Sequence, residues 1–545
     1  MSLVPFSHPR KNVPRRSSAT ITHNAYSFPA PNNGIDVSQP LPGGDPTKAI
    51  RLDNLIPRVF GCMMRGGYRN WVMNLGGEVR TLMSYQPAHD AQGAQFAAAA
   101  NGHVYDVTVH QDKNFVPTPV WSVDPIDMER PGQFDYTNFT TGGDVHFLCV
   151  VGKGAGYRTW NGTAWEEHLE GTDPGEIEGV DPKKFDFVMQ WKRRLWFIEA
   201  NSTIAWYLPV DVIAGKVTPF DFGPLLPHGG SLAMLQNWTV DGGEGLDDNL
   251  IVISTQGDVL LYKGTDPDEA TTFSMVGRWF IGKVPVGRRF ATHYSTDLAI
   301  LSERGLVFLS ELLRGQAFFD NAIVARNVNG ELGRAVITNV DRYYWEVRFL
   351  PHEQGIIINA PRTSFGDSQW FFEINSKAFC NLFGMPMLTV DTFNSRTFFG
   401  DESGNVWLGF DGDSDGKVDD VWGKDLEGAV LTTFQPVNDG ARIKRALMVR
   451  PSFTAPVAPA VVAKINPNWN LSMPVYSAPF TGQGVTEWDK DKWDQCVWNG
   501  EAQSYEAWVG ATGTLRFAAL AMRVKGYAGT TFIGWSVLVE NGGIL

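Results

Sequence analysis

Charge is scarce in this chain: only 19% of its 545 residues are Asp, Glu, Lys or Arg, and 46 basic against 59 acidic side chains leave a formal charge of −13. So acidic a balance argues against a protein that grips nucleic acid by neutralising phosphates with a basic face, although DNA as a passenger is compatible with it. Cysteine is scarcer still. Cys62, Cys149, Cys380 and Cys496 have neither metal-like nor framework spacing, so they read as free thiols of a reducing compartment, and assembly in a cytoplasm is expected. No apolar stretch is long enough to span a bilayer, and none follows the basic N-terminal residues Arg10, Lys11, Arg15 and Arg16 as a signal peptide would require. The ten histidines include no HExxH or HxH, and no GxSxG elbow occurs. The expectation is a chain without catalytic residues or a cofactor, and helix signals are poor throughout.

What the sequence has in quantity is 57 Gly, 32 Pro, 34 Phe and 19 Trp, the composition of many short strands joined by tight turns. An apolar strand, a turn and a second apolar strand recur seven times, among them Val145-HFLCVVGKGAGYRTW, Arg194-LWFIEANSTIAWYL, Asn249-LIVISTQGDVLLY and Asp297-LAILSERGLVFL. The turns fall at Gly102, Gly156, Ser202, Gly257, Gly305, Gly355 and Gly404, spaced 46 to 55 residues apart. A period near fifty holds four short strands with their turns, which is one blade of a β-propeller. Blades packed radially bury each other's faces, which a lone four-stranded sheet cannot do. The spacing therefore predicts an all-β chain with a six- or seven-bladed propeller, an ordinary sandwich being the alternative.

The domain reading divides the chain into five parts. Residues 1–25 form a flexible arm, 26–80 an extended strap with platform strands, 81–410 the propeller, 411–426 an acidic linker, and 427–545 a C-terminal β domain of barrel or sandwich type, completed by the strap as a platform. Leu52 to Met63 could form a turn or two of helix, although Pro57 would break anything longer.

Few motifs carry chemistry. Asp411, Asp413, Asp415 and Asp419 place carboxylates at alternate positions around Gly416, like the start of a calcium loop, but Trp422 stands where a bidentate Glu belongs. Calcium is the only cofactor this sequence suggests, against a solvated acidic turn. Gly277 to Val284 comes within one residue of a phosphate-binding loop, Val284 replacing the magnesium-holding hydroxyl, and reads as strand. Trp488, Trp493 and Trp498 recur every five residues, and with Trp160 and Trp165 they could bind sugar if exposed; burial in a β core is the competing reading. Asp-box repeats of propeller hydrolases are missing, so a hydrolase would need acidic and basic residues converging at one mouth of the propeller.

A family resemblance rests on an ordered series of short motifs. These are Ser27-FPAPNNGI-Asp36, Pro40-Leu41, Ala49-IRLDNLI-Pro57, Arg65-Gly-Gly-Tyr68, Val79-RTLMS-Tyr85, Ala100-NGHVYDV-Thr108, Asn138-FTTG-Gly143 and Trp160-NGTA-Trp165. The series resembles the opening of tail hub or nozzle proteins of short-tailed phages (podoviruses), similar to the packaged DNA stabilisation protein family, with its densest match over residues 26–170. The resemblance implies a virion structural protein in the tail, assembled in the bacterial host cytoplasm as a homohexameric ring below the portal and its adaptor. Packaged double-stranded DNA would be retained and then conducted through the central channel as a non-specific passenger, and tail fibres or spikes would dock outside. It supplies no catalytic residue and no docking residue. Six copies would carry about −78 formal charges, six times −13, a field that lets phosphates slide rather than stick. A carbohydrate-binding propeller acting in receptor recognition is the alternative function.

Overall fold

The computed structural model describes the chain apart from residues 1–22, 39–40, 42, 88–91, 242–245, 270–271, 314–327, 362–368, 439–441, 476–477, 481–502 and 542–545. The chain is all-β, with two short helices at Leu309–Leu313 and Asn329–Asn339 and two single 3-10 turns among the described residues. Among these residues no helix is long and apolar enough to cross a membrane.

Six four-stranded blades follow one another. Blade one runs from Val79–Tyr85 to Pro119–Ser122, blade two from Asp135–Thr140 to Trp165–His168, blade three from Phe185–Trp191 to Thr218–Asp221, and blade four from Leu232–Asp241 to Ser274–Phe280. Blade five runs from Glu346–Leu350 to Ala378–Leu382, and blade six from Thr389–Phe393 to Val406–Gly409. Between blades four and five a three-stranded sheet, Ala291–Tyr294, Asp297–Ser302 and Gly305–Phe308, completes the ring. The helix Leu309–Leu313 follows where a fourth strand would come.

The periodic signal has a physical origin. A blade's second strand lies between two neighbouring strands in a sheet that is itself packed on both faces, so Leu148–Val151, Leu195–Ile198, Leu250–Ile253 and Leu298–Leu301 are buried without alternation. At the predicted turns Gly102, Gly156, Gly257, Gly305 and Gly404 have φ between +82° and +100°, the left-handed region that suits glycine. Six of the seven hairpins join a blade's second and third strands. The hairpin at Gly355 joins the first and second strands of blade five instead.

Four expectations are corrected. Tyr68–Val72, read as part of the strap, is the fourth strand of blade six, paired antiparallel with Val406–Gly409, so the ring closes by joining chain segments more than three hundred residues apart. The acidic 411–426 segment is no free linker: Ser414–Lys417 runs parallel to Tyr68–Val72 and pairs with Lys424–Asp425. Leu52–Met63 is not helical, because Leu55–Arg58 and Gly61–Met64 form a hairpin. The helix Asn329–Asn339, with Val328, Leu332 and Val336 buried, was not expected.

Strands from both ends of the chain build a curled half-barrel beside the ring. His23–Pro29, Leu55–Arg58, Gly61–Met64, Lys444–Ala455 and Thr531–Asn541 share one sheet. Ala49–Asp53, Glu427–Thr432, Ala460–Pro467 and Phe517–Lys525 share another, which is continuous with blade five through the parallel pairing of Asp53 with Asn381. In Lys444–Ala455 the inward residues Val449, Phe453 and Ala455 alternate with the outward Arg450 and Thr454, the pattern of a half-buried strand. Trp535, 2% exposed, stacks on Phe28 at 4.6 Å and locks the N-terminal strand to the C-terminal one. The predicted arm, including Arg10, Lys11, Arg15 and Arg16, lies almost entirely outside the described residues.

Candidate functional site

The first strands of the blades face the propeller axis, and several of them carry charged side chains, among them Asp135, Asp186, Glu346, Arg348 and Asp391. Just before the three-stranded sheet, Arg288 and Arg289 reach into the axis in different directions. Arg289 donates from Nη1 to the Arg80 carbonyl (3.0 Å) and Thr389 Oγ1 (3.0 Å), and from Nη2 to Thr81 Oγ1 (2.7 Å) and the Phe134 carbonyl (2.9 Å). Its guanidinium also lies 3.7 Å from the carboxylate of Glu346. Arg288 donates to Asp186 Oδ2 (2.7 Å) and to the carbonyls of Leu232 (3.2 Å) and Ala233 (2.8 Å). Two adjacent side chains thus touch all six blades. Arg288 adopts φ +62°, which costs a residue with a Cβ roughly 1–3 kcal/mol and persists only where surrounding bonds impose it.

The arginines divide the axial space. A cup of about 880 Å³ opens on one side and a chamber of about 140 Å³ lies on the other, and Asp135 and Arg288 line both. Asp135 accepts the Val188 N–H at 2.9 Å. Although it lines the cup, so much protein surrounds its carboxyl that burial pushes its pKa up to about 7 against the pull of the Val188 N–H, Arg289 and Arg288. Burial also raises Glu346, whose carboxylate accepts the Val390 N–H at 3.1 Å.

A second cluster ties the wall together. Asp391 pairs with Arg348 and accepts hydrogen bonds from Tyr136 Oη (2.7 Å) and Ser84 Oγ (2.6 Å), while Tyr136 Oη accepts from Arg348 at 2.7 Å. Acidic and basic residues therefore do converge on the axis, the condition set for a propeller hydrolase. All four Arg289 bonds and both roles of the Tyr136 hydroxyl are spent on the protein, however, which is the chemistry of a clamp between blades.

A third arginine lies elsewhere, at the seam with the half-barrel. Arg65 has no exposed side-chain surface and forms a bidentate pair with Asp415 at 2.8 and 2.7 Å. Its remaining donors meet Asn54 Oδ1 (2.9 Å) and the carbonyls of Gly66 (2.9 Å) and Phe383 (2.6 Å). A Cβ on Gly67 would lie 2.1 Å from the Ser414 carbonyl oxygen, so the Arg-Gly-Gly-Tyr motif combines a fully bonded cation with a backbone that must pass close by.

The calcium candidates disperse. Asp411 pairs with Arg69, Asp413 accepts the Ala528 N–H at 2.9 Å, Asp415 belongs to Arg65, and Asp419 accepts from Asn70 at 2.9 Å. Among the described residues no group of three or more His, Cys, Asp or Glu could hold a metal ion. Ser274–Phe280 is the outer strand of blade four and Lys283 pairs with Asp341 at 2.7 Å, so the phosphate-loop lookalike is structural. Trp160 and Trp165 pack against Phe96 at 5.4 and 5.0 Å rather than forming an exposed row, while Trp488, Trp493 and Trp498 lie outside the described residues. Cys62, Cys149 and Cys380 are free and buried, and burial pushes the Cys149 thiol up to about 12; Cys496 lies outside the described residues.

Sequence reasoning did not single out Asp135, Arg288, Arg289, Glu346, Arg348 or Asp391. The available signal was charge at the opening of a blade's first strand, where an apolar residue would be expected if the axis were a dry core.

No protein-family model matches the chain, and no curated protein matches it. Among solved structures it is similar to the WD40 β-propeller domain of Doa1, at 12% identity over 63% of this chain and 96% of that one, with a TM-score of 0.37. It is also similar to YCF48 from Cyanidioschyzon merolae, at 13% identity over 62% and 98% of the two chains, with a TM-score of 0.37. Each is a likeness of fold, and neither bears on what the chain does.

Proposed function

We propose that this chain is a structural subunit of a short-tailed phage virion, a tail hub or nozzle that prolongs the portal and adaptor channel, retains packaged DNA and conducts it at ejection. The observation that carries this reading is the coincidence of the family motifs with the weld between ring and half-barrel. Ser27 to Asp36 begins in the strand stacked on Trp535, and Arg65 to Tyr68 both latches Asp415 and begins the strand that closes blade six. A subunit of a pressurised conduit must transmit load without hinging, and a continuous sheet with a buried, fully bonded ion pair at the seam suits that demand.

On this reading the conduit does not follow the propeller axis. Arginine side chains occupy the propeller axis, and a duplex whose major groove alone is about 12 Å wide could not pass them. The bore would have to lie between copies, and the acidic balance of each copy favours sliding over gripping. Six copies in a closed ring, seated on the tail adaptor and carrying fibres or spikes outside, is the assembly proposed. Native mass measurement of the purified chain, alone and mixed with its tail adaptor, tests it: a hexamer is expected, and a chain that remains monomeric with the adaptor present overturns the reading.

A further inference from the structure

The axial cup is larger than a clamp between blades requires, and part of its lining is uncommitted. Its volume, about 880 Å³, lies within the range of small-molecule sites. Every cation on its wall already has a carboxylate: Lys192 with Asp248 at 3.5 Å, Arg193 with Asp211 at 2.6 Å, Arg288 with Asp186, Arg289 with Glu346 and Arg348 with Asp391. Among the described residues such a wall offers an anion no unpaired positive charge.

Uncharged hydrogen-bonding capacity remains. The Gln190 amide and the Thr137 hydroxyl line the cup and make no hydrogen bond among the described residues. Among the described residues His293 uses only Nε2, on Gln236 Oε1 at 2.9 Å, and Asp135 uses only Oδ2. Arg348 likewise uses only Nη2 among the described residues. Donors and acceptors from three inner strands and the intervening sheet therefore surround one space, beside apolar surface from Leu82 and Met234. Hydroxyl groups, each able to donate and accept, match such a lining, and the C–H faces of a sugar ring match the apolar part.

We propose that the cup is a binding site for an uncharged polyhydroxylated molecule, a mono- or disaccharide, held by Gln190, Thr137, His293 and Asp135. This site is separate from Trp160 and Trp165, and it stands whether or not the chain is a tail protein. Saturation-transfer NMR with glucose, N-acetylglucosamine and maltose as neutral probes, and glucuronate and glucose 6-phosphate as anionic ones, tests it on the intact chain. At least one neutral sugar binds more tightly than either anion, and Gln190→Leu weakens it about tenfold, the loss of a hydrogen bond or two. Thr137→Val weakens it less, and neither change moves the melting temperature, because neither group is bonded to another of the described residues. Absence of saturation transfer to all three neutral sugars, tighter binding of an anionic probe, or undiminished binding in both variants overturns the proposal.

Discussion

At the seam and at the axis the same residue type works under opposite conditions. Arg65 is dry, paired bidentately with Asp415, and bonded through every nitrogen to groups that would otherwise be buried without partners. Arg289 lines the open cup with its side chain 17% exposed, bonds mostly to neutral carbonyls and hydroxyls, and stands 3.7 Å from its carboxylate. Removing a cation from a dry pair strands a charge, whereas removing one beside water lets solvent replace it. The seam should therefore be the more brittle of the two.

The largest effect is expected for Arg65→Ala, which removes a fully buried guanidinium from Asp415, whose side chain is only 11% exposed, and should destabilise the chain by roughly 3–5 kcal/mol in chemical denaturation. Arg65→Lys should recover only part of that loss, since an ammonium cannot reproduce the two parallel bonds. Arg289→Ala should cost less, about 2 kcal/mol, because water from the cup can reach the freed carbonyls. An equal or larger loss for Arg289→Ala would reverse the comparison.

Asp135 sharpens it further. Its folded pKa, about 7, stands above the ordinary 3.8, so the folded state holds an extra proton between those values. The contribution of Asp135 to stability is fully present below about pH 4 and is lost as pH rises toward 7. Asp135→Asn, which can still accept the Val188 N–H, should remove that slope and be more stable than the parent at pH 8 by at least about 1.4 kcal/mol, the equivalent of one pKa unit. Denaturation midpoints of both proteins at pH 5 and pH 8 measure this. Smallest of all is the effect of calcium: with the four carboxylates of 411–419 committed to separate partners, melting curves in calcium and in EDTA should superimpose.

The ring was legible because its repeating element is simple. A second strand packed on both faces must be apolar throughout, and a tight hairpin selects glycine, so runs such as Leu250–Ile253 followed by Gly257 announce themselves. The fourth strand of blade six was not legible, since nothing local in Tyr68–Val72 names a partner at Val406–Gly409. The helix Asn329–Asn339 escaped for a related reason: two glycines and a polar surface dilute its apolar stripe of Leu332 and Val336. The axial site depends on residues from separate blades, each ordinary in its own segment. Asp411 to Asp419 shows the converse, where regular spacing along the chain suggested one site and tertiary pairing distributed the carboxylates among four.

In the proposed assembly the conduit runs between copies and not through a propeller. Averaged electron-microscope images of the chain assembled with its tail adaptor test this directly. Six-fold rings with an open central hole and six closed propellers around it are expected, whereas isolated single copies, or density for DNA along a propeller axis, would overturn the proposed assembly.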